Sequence, residues 1–218
     1  MALAIFDLDD TLIDGDSASL WLRFLVREGL AAASMIPQEQ EMMRAYRQGL
    51  LEMGDYMAFT LEPLRGRTTA EVADWADRFI AHDIAPIVYP QARQAIAGYG
   101  QDGRRCLVVS ATGEHLVAPI ARFLGVEDCL AIRLEVEEGL YTGATTGVLT
   151  YQRGKVVRLG DWLEETGESL QDSHGYSDSI NDVPLLEAVE TPFVVNPDPR
   201  LAAHAEAARW RRLNWSRA

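Results

Sequence analysis

The chain has 218 residues, 48% hydrophobic and 24% charged, which is ordinary for a soluble globular protein and enough for one sizeable core with a small accessory domain. The formal net charge of −13 argues against nucleic acid or an anionic membrane surface as a partner. No apolar run approaches the roughly 18 to 20 residues of a membrane span, and no leader pattern opens the chain. We therefore expect a cytoplasmic protein, with Cys106 and Cys129 as buried free thiols.

The first strand and the acidic turn after it organise the rest of the chain. Residues 2–6 are an unbroken apolar run, which predicts a strand buried on both faces. Asp7, Asp9 and Asp10 follow within four positions, where they would repel one another and resist burial. The alternative is a purely structural role, in which these acids belong to a loop that caps the following helix. The order of strand, Asp-x-Asp and long insertion favours instead a site for Mg²⁺, which prefers oxygen ligands.

Asp7 and Asp9 are also the candidate catalytic pair. Ligands of open α/β sheets bind at the carboxyl ends of the strands, which is where Asp7 falls. In an extended chain Asp9 faces the same side as Asp7, because side chains alternate along a strand. One carboxylate can then attack while the other handles protons.

The segment 15–85 is predicted to be helical, without strands. Its first helix begins at an N-cap at Ser17, further helices cover 38–48 and 55–64, and a fourth follows an N-cap at Thr69. The methionines and aromatic residues there are interpreted mainly as core. Part of their surface is expected to close as a lid over the acidic turn.

From residue 86 onwards strands alternate with helices, which predicts a parallel sheet. A hairpin with its turn at 137–139 interrupts the alternation. The expected fold class is α/β, a doubly wound, mostly parallel sheet with a helical cap and a small β-hairpin. Strands are predicted at 106–109, 173–177 and 192–195, and helices at 89–100, 114–124, 155–165, 181–189 and 199–209.

Two further positions could bind an anion. Ser110 lies between a buried strand and a helix, where its hydroxyl and the amide of Ala111 can bind a phosphate oxygen, although a serine there is usually only a cap. Lys155 lies at a helix start, which is unfavourable for a cation because that end of the helix dipole is positive. The position suggests that Lys155 serves an anionic group, and an exposed surface lysine is the alternative.

Residues 178–182, Asp-Ser-Ile-Asn-Asp, are the second strong acidic signal. Asp178 ends a predicted strand, and Asp182 follows about one helical turn later, so both can face one cation. Asn181 offers an amide to a phosphate. An acidic surface turn is the alternative, and the acids Asp7 and Asp9 upstream disfavour it.

These segments, Asp7-x-Asp9, Ser110, Lys155 and 178–182, resemble in order the four motifs of the haloacid dehalogenase superfamily. The helical insertion is similar to the type 1 cap of the phosphoserine phosphatase branch. Residues 177–205 look closer to the bacterial subgroup that includes histidinol-phosphate phosphatases. The resemblance implies a catalytic core of residues 1–14 and 86–218 with a cap of residues 15–85.

The resemblance also implies site roles. Asp7 would attack phosphorus to form an aspartyl-phosphate, and Asp9 would protonate the leaving group and then activate water. The small phosphorylated metabolite is the only partner expected, and the protein would be a monomer or homodimer. The implied Mg²⁺ ligands are Asp7, Asp9 (through its carbonyl), Asp178 and Asp182, and the implied phosphate ligands are Ser110, Ala111, Lys155 and Asn181.

The cap carries the evidence on substrate. Asp16 matches the position that binds the substrate amine in phosphoserine phosphatases. Residues 55–64 lack the arginine that binds the carboxylate there, which disfavours phosphoserine. We expect an amino-alcohol phosphate, with L-histidinol phosphate as first candidate. The arginines that could replace the missing one are Arg44, Arg47, Arg65 and Arg67, and the aromatic residues that could stack on an imidazole are Trp21, Tyr46, Tyr56 and Phe59.

Other functions stay open. Phosphoserine hydrolysis and transfer of the phosphoryl group to an acceptor other than water are the main alternatives. A dehalogenase typically lacks an acid at the position of Asp9, and a non-catalytic binding protein would be expected to have lost Asp7 or Asp9. The histidines are scattered without metal spacing, and His115, close after Ser110, is the only one that merits attention.

Overall fold

The computed structural model describes residues 2–47 and 50–217, without the side chains of residues 46 and 47. The side chains of Tyr46 and Arg47, and the predicted helix end at residue 48, therefore lie outside the described part. Within that part, no helix is both long and apolar enough for a bilayer span.

The described strands form one seven-stranded sheet in the order β4-β3-β2-β1-β5-β6-β7. Neighbouring strands are parallel, except that β3 and β4 are antiparallel. The predicted doubly wound α/β fold and the hairpin are confirmed. The strands are β1 (Leu3–Phe6), β2 (Arg105–Gly113), β3 (Asp128–Glu137), β4 (Leu140–Thr146), β5 (His174–Ser177), β6 (Thr191–Val195) and β7 (Arg211–Leu213).

Strand β1 lies in the middle of the sheet, and all four of its residues are 0% exposed, as the apolar run predicts. Leu3 and Ile5 pack on one face against Leu159 and Trp162. Ala4 and Phe6 belong to the larger core on the other face. Because both faces are covered, the carboxyl end of β1 is where its next side chains can reach a cleft.

Nine α-helices surround this sheet in the described part of the chain. Five of them lie between β1 and β2, and the first four of these fall in the segment 15–85 that is predicted to be helical. They are α1 (Ser17–Arg27), α2 (Met35–Arg47), α3 (Met53–Thr60), α4 (Thr69–Phe79), α5 (Pro90–Gln101), α6 (Glu114–Phe123), α7 (Arg153–Thr166), α8 (Val183–Ala188) and α9 (Pro199–Ala208). Short 3₁₀ or π turns cover Glu62–Leu64, Ile80–Ile84, Ala85–Ile87 and Ile180–Asp182.

Several predicted boundaries are wrong by a residue or more. Asp16, not Ser17, caps α1, because its carboxylate accepts the amide N–H of Ser19 at 2.7 Å. Thr68, not Thr69, caps α4, where it forms a capping box with Glu71. The sequence analysis also missed the first half of β3 and the whole of β7.

The two cysteines are free, as predicted, but only partly buried. Cys106 lies on β2 and Cys129 on β3. Burial raises the pKa of Cys106 to about 11, so its thiol is protonated at neutral pH.

The start of α7 depends on a glycine. The residue before the helix, Gln152, has φ of 50°, which is an uncommon backbone conformation for any residue other than glycine. A Cβ atom on Gly154 would lie 1.9 Å from the carbonyl oxygen of Leu149. The tight approach of these two segments therefore requires glycine at 154, and it sets the position of Lys155 one residue later.

We expect Gly154→Ala to lower the free energy of unfolding by about 1–3 kcal/mol, because the added methyl group must displace the backbone of Leu149. Urea denaturation measures it. Gly160→Ala on the same helix is the matched control, since nothing lies within 4 Å of the added Cβ atom. That control should raise the stability by about 0.5–1 kcal/mol. Equal stability of the two variants would contradict the steric argument.

Candidate active site

The two acidic segments meet because their strands are neighbours. Strand β5 pairs with β1, and the amide N–H of Asp7 donates to the carbonyl of Tyr176 at 2.9 Å. Asp7 follows β1 and Asp178 follows β5, so their side chains emerge at the same edge of the sheet. Thr11, in the turn after β1, donates a hydrogen bond to the Asp178 carboxylate at 3.1 Å. The structure thus brings the predicted acids together.

Lys155 is the buried cation of this site. Its ammonium Nζ lies 2.7 Å from Oδ1 of Asp7 and 2.7 Å from Oδ2 of Asp182. All three side chains are almost fully buried. Ser177 adds a hydrogen bond to Oδ2 of Asp182 at 2.7 Å. Lys155 therefore serves anionic groups, as its unfavourable place near the helix start suggests.

Asp9 is held through both carboxyl oxygens. The amide N–H of Ser17, the first residue of α1, donates to Oδ1 at 2.6 Å, and the Thr112 hydroxyl donates to Oδ2 at 2.9 Å. The Ser110 hydroxyl is 3.4 Å from the same Oδ2 and accepts the amide N–H of Thr112 at 3.1 Å. Asp9 is therefore oriented jointly by the sheet and by the first helix of the insertion.

These groups border a chamber of about 280 Å³. Nine of the predicted site residues line it, and Lys155 is the one cationic side chain among the described residues that do so. The lining consists of Asp7, Asp9, Asp10, Asp16, Ala18, Met43, Met53, Tyr56, Ala111, Thr112, Tyr151, Lys155, Asp178, Ser179, Asn181 and Asp182.

Two predicted site residues do not line the chamber. Ser110 is fully buried behind Ala111 and Thr112, with its hydroxyl bonded to Asp9. Phe59 lies on α3 one turn after Tyr56 and is not among the chamber-lining residues. The phosphate role of Ser110 and the substrate role of Phe59 stay predictions.

The candidate arginines lie away from the chamber. Arg44 pairs with Glu41 on α2, and Arg67 stacks over the ring of Trp75. Arg65 lies beside Gly143 of β4. Of the four arginines that could bind a substrate carboxylate, the three whose side chains are described do not line the chamber.

Sequence reasoning missed several lining residues. Thr112 shares a strand face with Ser110, so alternation along β2 would have found it. Tyr151 lies four residues before Lys155, in the loop that enters α7, and has no motif of its own. Met43 and Met53 belong to the cap residues interpreted mainly as core, part of whose surface was expected to close over the acidic turn, but neither was named as a site residue. Asn181, which was predicted, accepts a hydrogen bond from the Gln152 side chain at 3.2 Å.

Burial and mutual repulsion raise the pKa values of the acids. Burial raises the pKa of Asp7 to about 7, with Lys155 opposing the shift and Asp182 adding to it. Burial, then Asp16 and Asp7, raise the pKa of Asp9 to about 7. The pKa of Asp178 is also well above its usual value, from burial and the charge of Asp7. One lysine does not neutralise this cluster.

A larger cleft of about 480 Å³ lies elsewhere, between α6, β3 and α7. Its lining mixes the arginines Arg133 and Arg158 with the acids Glu114 and Asp161. None of the predicted site residues lines it, so its size does not make it the reaction site.

Comparison with known proteins identifies the class. The family model for haloacid dehalogenase-like hydrolases matches residues 4–187. A histidinol-phosphatase of Neisseria meningitidis serogroup C is 38% identical over 219 residues, covering 98% of both chains. A phosphoserine phosphatase, SerB1, of Mycobacterium tuberculosis is 30% identical and matches 96% of this chain and 69% of its own. A solved structure of a Bordetella pertussis Tohama I protein of unknown function has TM-score 0.91 at 38% identity, covering 97% of both chains.

The chain belongs to the haloacid dehalogenase-like hydrolase family. It is a phosphatase of that family, a phosphoric monoester hydrolase that resembles histidinol and serine phosphatases.

Phosphatases of this family generally use Mg²⁺, and the donor chemistry here fits that ion. Asp7 and Asp178 are buried carboxylates whose pKa values are raised by burial and by neighbouring acids, and a bound divalent cation would stabilise their charged forms. Mg²⁺ takes one or two carboxylates as ligands and keeps several waters, so these two side chains suit it. Oδ2 of Asp182 is bonded to Lys155 and Ser177, so a ligand role for this residue stays a prediction.

We expect Mg²⁺ to raise the melting temperature more at pH 8 than at pH 5, because a proton competes with the ion for the carboxylates. The folded-state pKa of Asp7, about 7, lies above the ordinary value of 3.8 for an aspartate. The folded protein therefore holds this proton between about pH 4 and 7, and without metal its stability falls as the pH rises through that window.

Thermal unfolding with and without millimolar MgCl₂ at the two pH values checks this, with Asp178→Asn as the variant that should lose most of the Mg²⁺ effect. A larger Mg²⁺ effect at pH 5 would count against carboxylate binding.

Proposed function

We propose that the protein hydrolyses a small amino-alcohol phosphate, with L-histidinol phosphate as first candidate, in a Mg²⁺-dependent reaction through an aspartyl-phosphate. The observation that supports this choice is the charge of the chamber. It offers Asp16 to an ammonium group, and its one described cation, Lys155, is already bonded to Asp7 and Asp182.

Asp7 is the proposed nucleophile. Lys155 holds its Oδ1, which leaves Oδ2 to attack phosphorus. Attack forms an Oδ2–P bond and breaks the bond between phosphorus and the ester oxygen of the substrate. Bound Mg²⁺, held by the Asp7 and Asp178 carboxylates and the Asp9 carbonyl, would neutralise the charge of the phosphoryl group.

Asp9 is the proposed acid and base. Its pKa of about 7 lets it carry a proton near neutral pH and give it to the leaving alkoxide. The carboxylate then takes a proton from the water that attacks the aspartyl-phosphate, which regenerates Asp7 and releases phosphate. Ala111 and Asn181, which line the chamber, would hold the phosphoryl oxygens through the backbone amide of Ala111 and the side-chain amide of Asn181.

The organic part of the substrate would lie between the chamber wall and the cap. Burying a carboxylate there without a partner would cost several kcal/mol of binding free energy. An ammonium group would instead pair with Asp16. The likeness to a histidinol-phosphatase at 38% identity also supports an amino alcohol rather than phosphoserine. We propose that this reaction takes place in the cytoplasm and that the cap is formed by residues 15–85.

We expect kcat/KM for L-histidinol phosphate to exceed that for phosphoserine by at least tenfold, because only phosphoserine brings an unpaired carboxylate into the chamber. Phosphate release with Mg²⁺ measures both. Asp7→Asn should abolish release from either substrate, which shows that the activity is that of the protein itself. A tenfold preference for phosphoserine would overturn the substrate assignment but not the phosphatase.

Asp16→Asn tests the amine site. Asparagine caps helices as well as aspartate does, so α1 is expected to remain intact while the charge is lost. We expect kcat/KM to fall about tenfold or more for L-histidinol phosphate and to change little for 3-(imidazol-4-yl)propyl phosphate, which lacks the amine. An equal loss on both substrates would show that Asp16 acts through the fold and not through the ammonium group.

A further inference from the structure

A small cavity adjoins the chamber and is not accounted for by the reaction described above. It has a volume of about 20 Å³ and shares Ala18, Tyr56, Ala111 and Thr112 with the chamber wall. Its remaining lining is mostly apolar and comes from α1, α3 and the start of α6. The exceptions are Trp21, His115 and Thr60, and the Thr60 hydroxyl donates to the carbonyl of Tyr56 at 3.0 Å.

Trp21 and His115 have buried polar atoms without partners, and so does Tyr56 in the shared wall, through its hydroxyl. Neither ring nitrogen of His115 has a hydrogen-bond partner, and the indole N–H of Trp21 has none either. The two rings lie 5.8 Å apart, edge to face at 68°. Buried polar groups are nearly always paired, because each unpaired one lowers stability by about 1–3 kcal/mol. Unpaired groups beside a substrate chamber are therefore candidates for ligand contacts.

The neutral state of His115 limits what it can recognise. Burial lowers the pKa of its imidazole to about 3, so the ring is uncharged at neutral pH. A neutral imidazole has one donor and one acceptor, and the indole N–H of Trp21 adds a second donor. The complementary ligand group is uncharged and can both donate and accept a hydrogen bond.

The backbone makes room for this ring. A Cβ atom on Gly113 would lie 2.7 Å from Nδ1 of His115 and 2.8 Å from its Cε1. Gly113 has φ of −67° and ψ of 145°, which any residue adopts. Glycine is therefore not required here by the backbone, and its effect is to let the imidazole of His115 approach the end of β2 closely.

We propose that His115 and Trp21 form a specificity subsite for the uncharged, hydrogen-bonding end of the leaving group. The inference rests on the proposed function, in which that end is the imidazole ring of L-histidinol phosphate. The cavity holds about one water molecule, so only the outer edge of the ring enters it, and the rest of the substrate stays in the chamber.

With this subsite, the enzyme would recognise the charged and the neutral parts of the substrate in two different regions. Asp16 faces the chamber with a carboxylate, which suits the ammonium group of the substrate. The cavity around His115 and Trp21 presents only neutral groups, which suits a neutral ring and rejects a carboxylate. A substrate with both an amine and a neutral heterocycle satisfies both regions.

Inhibition by the dephosphorylated alcohols tests the subsite without requiring turnover of any one substrate. L-histidinol and L-phenylalaninol share the amine and differ in whether the ring has nitrogens. Against hydrolysis of p-nitrophenyl phosphate, we expect the inhibition constant of L-histidinol to be at least tenfold lower than that of L-phenylalaninol. His115→Phe should bring the ratio close to one, because phenylalanine keeps the ring volume and removes both nitrogens.

Two further variants separate recognition from folding. Gly113→Ala keeps His115 but displaces its ring, and should reduce the same ratio at least threefold. His82→Ala removes an exposed histidine far from the cavity and should keep the ratio. Circular dichroism and thermal unfolding confirm that each variant is folded.

The proposal is overturned if the wild type binds the two alcohols equally or if His115→Phe keeps the preference for L-histidinol. Failure of the proposed function is a separate result, namely a wild-type preference for phosphoserine in the turnover assay.

Discussion

The site depends on one buried ammonium group between two carboxylates. Lys155 lies in the first turn of α7, and its ammonium group is 2.7 Å from the carboxylates of both Asp7 and Asp182. Asp7 follows β1 and Asp182 follows β5, so the contact joins three separate segments of the chain. Removing one partner from such a buried group leaves an uncompensated charge, which typically destabilises a protein by about 3–5 kcal/mol. With the neighbouring acids Asp9 and Asp178, the site has more negative charge than one lysine can neutralise. This excess of negative charge favours the binding of a divalent cation. It also raises the pKa of the remaining acids, so that one of them can carry a proton near neutral pH.

Much of this arrangement could be predicted from the sequence because it depends on local patterns. The apolar run before Asp7 predicts a buried central strand, and acids after two parallel strands must meet at one edge of the sheet. Lys155 attracted attention because a cation is unfavourable near a helix N-terminus. The position of Asp16 was inferred from resemblance, and the structure adds that the same carboxylate caps α1.

Other parts depend on contacts that no local pattern contains. Thr112 matters because β2 continues past Ser110 and brings its hydroxyl to Asp9, across more than a hundred residues of sequence. Strand β7 was missed because Arg211 and Arg212 are exposed and break the apolar pattern of an edge strand. The N-caps at Asp16 and Thr68 were each misplaced by one residue, since several capping residues stand side by side at both helix starts.

The place of β1 in the sheet has a consequence for how the protein is made. This strand is synthesised well before its partners β2 and β5, which begin at Arg105 and His174. It must therefore wait, with both edges unpaired, until those two strands have been made. Such long-range pairing slows folding and leaves strand edges exposed to other chains. The helices between β1 and β2 also pack against later elements, since α3 contacts β4, α4 contacts α6 and α5 contacts β2. The catalytic centre is therefore completed only after synthesis has passed Asp182.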